Sequence, residues 1–311
     1  RREEKRFLMN DAYKGIVGAP TTPFNSDNEV DLDIFGKQVN FLIESGVNLI
    51  AHPMHIGESL NLSEEERKNL AEVLVDASGG RVPTFVHVSS GGTDNSAIMA
   101  EHATRVGNTG IVLMAPYHWA PKPQEILNHF VTVMKASEGK LIAYNNPRAT
   151  NVNLTHDLVA TFIEEIPGFV ALKDATFHME TFGKFCSLSS KENDHFAVYT
   201  GIEHLLTSVP VGGYGCFSAC SEVAPKLVQD LFNACSAADY EVARNLQYKM
   251  WRLLTLLMTD YPATIKYCME LMGRPIGGVR SPIRTINKEN RAHAKSELDA
   301  LNIFNTEKHG W

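Results

Sequence analysis

The sequence predicts a (β/α)8 barrel with a helical extension at its C-terminal end. Three observations carry this. Eight short apolar runs recur between residues 15 and 218, longer amphipathic stretches lie between them, and after the eighth run the pattern is helical throughout. Parallel strands need a long crossover, and a helix after each strand supplies it. Eight such units in roughly 200–250 residues match the count and length of a closed barrel. The alternative, a doubly wound open sheet, usually shows a glycine-rich phosphate turn after its first strand. Here that turn is Ala19-Pro20-Thr21-Thr22-Pro23-Phe24, which is unsuited to a dinucleotide.

The candidate strands are Gly15–Ala19, Val47–Ala51, Thr84–Val88, Gly110–Met114, Leu141–Tyr144, Phe169–Lys173, Phe196–Tyr199 and Tyr214–Ser218. Runs apolar on both faces read as strands buried on both faces. Between the first two, Leu32, Phe35, Val39, Leu42 and Ile43 recur at helical spacing and predict a helix over Asp31–Ser45. Ser63 followed by Glu66 is a capping-box signature that opens the next crossover helix. Thr93 and Thr155 are read as opening further helices in the same manner. Beyond the eighth strand, helices are expected at Ala237–Met258, Pro262–Met272 and Lys288–Leu301. No Pro-, Gly- or Ser-rich linker and no low-complexity tract intervenes. One barrel over residues 12–236, carrying the site, and a helical appendage over 237–311 packed on it are therefore expected.

Composition narrows the function classes. Of 311 residues, 44% are hydrophobic and 21% charged, as in ordinary soluble globular chains. The net charge is −7, and the only basic cluster is the mixed-sign start Arg1-Arg2-Glu3-Glu4-Lys5-Arg6, which reads as a solvated tail. No nucleic-acid partner is expected. The densest apolar stretch, Leu253–Met258, is far too short to span a bilayer, so no membrane partner is expected either. The first residues show no apolar signal region, so the expected compartment is the cytoplasm, with an organelle lumen as the alternative, and a start other than Met reads as a trimmed fragment. The five cysteines form no Cys-x-x-Cys pair and lie in apolar or helical contexts, so they read as reduced packing thiols.

In a (β/α)8 barrel the chemistry gathers at the C-terminal ends of the strands. Those positions hold Thr21-Thr22, His52 to Ser59, Pro116-Tyr117-His118-Trp119, Tyr144-Asn145-Asn146-Pro147-Arg148, Lys173, Gly201-Ile202-Glu203 and Phe217-Ser218. Lys173 closes the apolar run Phe169-Val170-Ala171-Leu172. Burying an ammonium is costly, desolvation lowers a lysine pKa, and a neutral amine attacks carbonyls to form a Schiff base. The competing reading pairs Lys173 with Asp174 at a solvated strand end. His55 and His118 could be metal ligands by type, but no third ligand stands at suitable spacing, and neither metal nor cofactor is expected.

These residues resemble the class I, pyruvate-dependent aldolases and lyases grouped with dihydrodipicolinate synthase and N-acetylneuraminate lyase. The resemblance runs from Gly15 to about Leu301. It is carried by Thr21-Thr22-Pro23-Phe24, Gly57-Glu58-Ser59, Tyr144-Asn145-x-Pro147, Leu172-Lys173-Asp174-Ala175-Thr176, and Gly212-Gly213-Tyr214-Gly215 before Ser218. It implies that Lys173 forms an imine with the 2-keto carbon of pyruvate or a related 2-keto acid, and that Tyr144 passes protons to and from the substrate. It further implies that Ile56, Gly57, Glu58, Asn146, Arg148, Gly201, Phe217 and Ser218 line the substrate site, and that the chain is a homotetramer built as a dimer of dimers.

The departures bear on the substrate. The family usually has Gly-Thr-Thr-Gly-Glu or Gly-Ser-Thr-Gly-Glu where this chain has Met54-His55-Ile56-Gly57-Glu58. Dihydrodipicolinate synthases carry a second tyrosine at the position of His118, reaching a neighbouring subunit's site, and a carboxylate-gripping arginine at the position of Ala149. Two positions that hold hydroxyls in the family are imidazoles here, so His55 and His118 are read as a substituted proton relay around Tyr144. The alternative is that they only bind a carboxylate or fill space. The expected function is an aldolase or lyase that makes or breaks a C–C bond beside a pyruvyl unit, with an aldehyde or sugar acid as co-substrate. A keto-deoxy sugar-acid dehydratase, dihydrodipicolinate synthase itself, and a non-catalytic paralogue are the alternatives.

Overall fold

The computed structural model describes residues 13–189 and 196–311. The charged start Arg1–Arg6, and with it the solvated tail expected there, lies outside the described residues. Eight strands close into a barrel in sequence order. They are β1 (Gly15–Gly18), β2 (Leu49–His52), β3 (Thr84–His87), β4 (Gly110–Leu113), β5 (Lys140–Asn145), β6 (Phe169–Asp174), β7 (Ala197–Thr200) and β8 (Gly215–Ser218). The described pairings are parallel. The (β/α)8 barrel is therefore the fold of this chain, and each strand lies within two residues of its expected bounds. Nearly every strand residue is buried, which is why the strands read as continuous apolar runs rather than alternating ones.

The crossover helices begin where local chemistry satisfies their first amides. Asp31 accepts from the amide of Ile34 at 3.0 Å and opens the helix Leu32–Glu44. Ser63 accepts from Glu66 N at 3.1 Å while the Glu66 carboxylate accepts from Ser63 N at 2.8 Å, a complete capping box at the head of Glu64–Ser78. Thr155 caps His156–Glu165 through Leu158 N. Thr93 departs from expectation: it is the first helical residue of Thr93–Arg105, Gly92 precedes it as the cap, and the threonine hydroxyl lies 2.9 Å from His129 Nδ1 instead. The later helices are Pro225–Ser236, Tyr240–Leu257, Ala263–Leu271 and Lys288–Ala300. All five cysteines are buried and none is in a disulfide. No helix among the described residues is long and apolar enough to cross a membrane.

The chain forms two compact units. Among the described residues, one comprises residues 13–15 and Pro83–Phe217; the other comprises Ile16–Val82 and Ser218–Trp311. Each holds its own cluster of buried charge.

Candidate active site

In the first unit, β5 and β6 run side by side with Tyr144 opposite Lys173 and Asn145 opposite Asp174. Successive strand residues face opposite ways, so the first pair and the second pair look to different sides of the sheet. Lys173 is 5% exposed. Its Nζ lies 4.0 Å from the centre of the Tyr144 ring and 4.4 Å from that of Phe217. The amine therefore rests on two aromatic faces, and no carboxylate among the described residues stands within ion-pairing distance of it. Burial pulls its pKa down to about 7, against the weaker opposing pull of Glu203 and Cys216. A large fraction of this lysine is thus neutral near neutral pH.

The solvated Lys173–Asp174 pair weighed from sequence is not what forms. Asp174 is buried, accepting from Asn145 Nδ2 at 2.9 Å and from Thr176 Oγ1 at 2.8 Å. Asn145 Nδ2 also reaches Asn153 Oδ1, and Asn145 Oδ1 accepts from Leu154 N, at 3.0 and 2.9 Å. This web fastens the ends of β5 and β6 and so holds Tyr144 opposite Lys173.

Tyr144 is buried, which raises its pKa, while Asn146 Nδ2 donates to its hydroxyl oxygen at 3.1 Å and acts in the opposite sense. Tyr117 is a further electrostatic neighbour of Tyr144. The His87 ring meets the Tyr144 ring edge-on with centroids 6.2 Å apart. His87 closes β3, a strand end that sequence reading passed over; a histidine terminating an apolar strand run was the available signal. Arg148 is exposed, its guanidinium 5.9 Å from the Phe177 ring centre. Phe177 has φ +58°, a left-handed conformation unusual for a bulky residue, and its ring contacts His204. The amide of Gly201 donates to Asp174 O at 2.8 Å, and a Cβ there would lie 2.7 Å from that of Ala175. His118 is exposed, at φ +75°, with its ring edge-on to Trp119.

The second unit holds the remaining expected residues. His55–Gly57 form a turn of 3-10 helix ended by Glu58 in the left-handed conformation. His55 is half-buried and Ile56 buried. Thr22 Oγ1 donates to Gly57 O at 2.6 Å and lies 3.0 Å from His52 Nε2. A threonine has one hydroxyl hydrogen, so His52 must carry its proton on Nε2 and donate to Thr22. Burial, reinforced by Arg67 and Lys266, holds His52 neutral with a pKa of about 3. Residue 57 has to be glycine, because a Cβ would stand 2.9 Å from His52 Nε2 and 3.1 Å from Pro20 O.

The Glu58 carboxylate is wholly engaged by protein. Lys266 Nζ donates to Oε1 at 2.8 Å, and Oε2 accepts from Arg280 N at 3.0 Å and Asn61 Nδ2 at 3.4 Å. Lys266 also donates to Thr22 O at 2.7 Å and Gly278 O at 2.5 Å. Close by, Glu222 accepts from Thr21 N, Thr21 Oγ1 and Gln38 Nε2 at 2.9, 2.6 and 2.6 Å, and burial raises its pKa to about 6. Ser218 Oγ accepts from Ser221 N and Ser221 Oγ. Sequence reading placed His52 at a strand end without giving it a role, and singled out neither Glu222 nor Lys266.

A closed parallel barrel with a desolvated lysine on one strand and a tyrosine opposite it on the strand before is what the resemblance to class I, pyruvate-dependent lyases implies. The chain belongs to the dihydrodipicolinate synthetase family, whose model matches residues 12–301. A 4-hydroxy-tetrahydrodipicolinate synthase of Methanosphaera stadtmanae is 29% identical over 94% of this chain and 99% of its own. One from Methanocaldococcus jannaschii is likewise 29% identical, over 94% of this chain and 100% of its own. Among solved structures, YagE, a prophage protein of the dihydrodipicolinic acid synthase family from E. coli K12 in complex with pyruvate, superposes with a TM-score of 0.88 at 26% identity. That match covers 93% of this chain and 99% of YagE. The protein is an enzyme of the lyase class.

Proposed function

We propose that Lys173 is the imine-forming residue and that Tyr144 carries protons for it. The neutral amine adds to the 2-keto carbon of pyruvate or a related 2-keto acid, and loss of water from the resulting carbinolamine leaves an iminium. The iminium withdraws electrons from C3, so a C–C bond there breaks with its electron pair collected as an enamine, or forms by the reverse path. The Lys173 amine, held on two aromatic faces with no carboxylate paired to it, is the observation that carries this reading. The pyruvate complex of YagE supports the keto-acid half.

An aldehyde or sugar acid is proposed as co-substrate, and Ile56, Gly57, Arg148, Gly201, Phe217 and Ser218 are proposed as substrate-binding residues. Glu58 is proposed to hold the turn His55–Gly57 in place rather than to touch substrate, since its oxygens are already occupied. His55 and His118 are proposed to extend the proton path, His118 across a subunit boundary in a tetramer built as a dimer of dimers. The 68% exposed Trp119 beside His118 supports a partner surface there. Cytoplasmic location and a barrel over 12–236 with its helical appendage belong to the same reading. Dihydrodipicolinate synthase is the second reading, favoured by the relatives' names and opposed by Ala149.

Borohydride reduction with pyruvate should place one pyruvate-derived mass on the peptide containing Lys173, and Lys173→Ala should abolish it. His55→Ala and His118→Ala should both keep the adduct. An adduct on Lys184 or Lys226, both exposed and paired with carboxylates, would remove Lys173 from this role. Free pyruvate among the products marks cleavage; a retained carbon count marks dehydration.

A further inference from the structure

A phenol serving as a proton carrier meets a difficulty in this site. Burial makes the phenolate costly, and the carrier must become a phenolate each time it gives up its hydrogen. Among the groups facing Tyr144 are the Lys173 amine over its ring from β6, the His87 ring from β3, and Tyr117 after β4. Asn146 stands two residues beyond Tyr144 and touches the oxygen itself. Its backbone is fixed: the Asn146 carbonyl accepts from Ala149 N at 3.0 Å, Thr150 N at 3.3 Å and Thr150 Oγ1 at 3.2 Å. Pro147 follows and disfavours the helical region for Asn146, whose backbone stands at φ −138° and ψ 82°. Neighbouring Asn145 is turned to Asp174, Asn153 and Leu154 N, so the two adjacent asparagines have separate tasks.

We infer that Asn146 is a positioning residue for proton transfer: its side-chain N–H holds the Tyr144 oxygen as an acceptor, turns the phenolic hydrogen away from itself, and stabilises the phenolate left when that hydrogen departs. The inference rests on the imine reading of Lys173. In the step it serves, the enamine nitrogen lone pair moves in to re-form the iminium as C3 takes the hydrogen. The Tyr144 O–H bond breaks with its electrons staying on oxygen. Enamine and phenol thus become iminium and phenolate, and the reverse step restores both. An amide suits the task because it donates at every working pH; a carboxylate of the same shape has no hydrogen to give.

The test needs pyruvate alone. Exchange of its methyl hydrogens for deuterium, followed by NMR, reads proton transfer at C3 without a co-substrate. Asn146→Asp should lower the exchange kcat about 10–100-fold near neutral pH, the value of a hydrogen bond to a charged group. Its KM and its borohydride adduct on Lys173 should stay within about twofold of the native enzyme. As pH falls and the new carboxyl gains a proton it regains a donor, so the gap to the native rate should narrow. Asn146→Leu should lose a similar factor and show no recovery at low pH. An Asn146→Asp variant with the native exchange rate at neutral pH, or losses confined to KM, would overturn the role of Asn146 while leaving Lys173 in place. A native enzyme that forms no adduct would overturn the imine reading and this assignment with it.

Discussion

Lys173 and Lys266 are both buried, and they show what burial does to an amine with and without a partner. Lys173, 5% exposed, rests on the rings of Tyr144 and Phe217. Lys266, 2% exposed, lies 4.3 Å from the centre of the Phe24 ring but donates to Glu58 and to two backbone carbonyls. Burial lowers the pKa of each, but at Lys266 the Glu58 carboxylate pulls back strongly through charge and hydrogen bond. An ammonium with three acceptors is a tie between segments; an amine resting on aromatic faces gives up its proton more readily, as the proposed nucleophile must. Partner chemistry, not depth, separates them.

The widest separation should appear in stability. Lys266→Met leaves Glu58 buried without its cation and should cost about 3–5 kcal/mol in denaturant unfolding. Lys173→Met should act in the opposite direction at neutral pH and below. The unfolded chain holds that proton up to the ordinary lysine range, whereas the native chain releases it near pH 7. The native penalty is therefore fully present below about 7, on the order of 3–5 kcal/mol, and fades as pH rises toward the unfolded value. A Lys266→Met protein as stable as the native one would dissolve the contrast.

A smaller effect belongs to reactivity. Initial rates of pyruvate trapping at Lys173 should fall about tenfold per pH unit below about 7 and level off above it, because only the neutral amine attacks. A trapping rate that climbs unbroken to about pH 10 would place this amine in the ordinary lysine range. Smallest of all is the exposed counterpart. Lys68 and Glu64 approach to 2.5 Å on the helix Glu64–Ser78, yet solvent screens them. Lys68→Ala should change stability by no more than about 0.5 kcal/mol, and a larger loss would mean that exposure matters less than this contrast requires.

The barrel was legible because its strands are buried on both faces and each leaves an unbroken apolar run in the sequence. Lys173 was legible for the same reason, as a charge at the end of such a run. Lys266 was not: it sits in a helix among Ala263, Ile265, Cys268 and Met269, and a lysine in that setting is ordinarily solvated. Its partner lies 208 positions away, beyond any local pattern. Thr93 misled because a hydroxyl one residue inside a helix reads like one at the cap, and only the chain's path decides between Gly92 and Thr93. The bond from Asn146 to Tyr144 depends on backbone angles in a turn, which residue types alone do not fix.

The 208 residues between Glu58 and Lys266 have a consequence in time. At about 5–20 residues per second, a ribosome that has just released Glu58 needs roughly 10–40 s to deliver its cation. Through that interval Ile16–Val82 is a nascent half of its unit, while Pro83–Phe217 is made without interruption. The turn at His55–Gly57 would thus be among the last parts of the molecule to set, well after the strand pair that holds Lys173 opposite Tyr144.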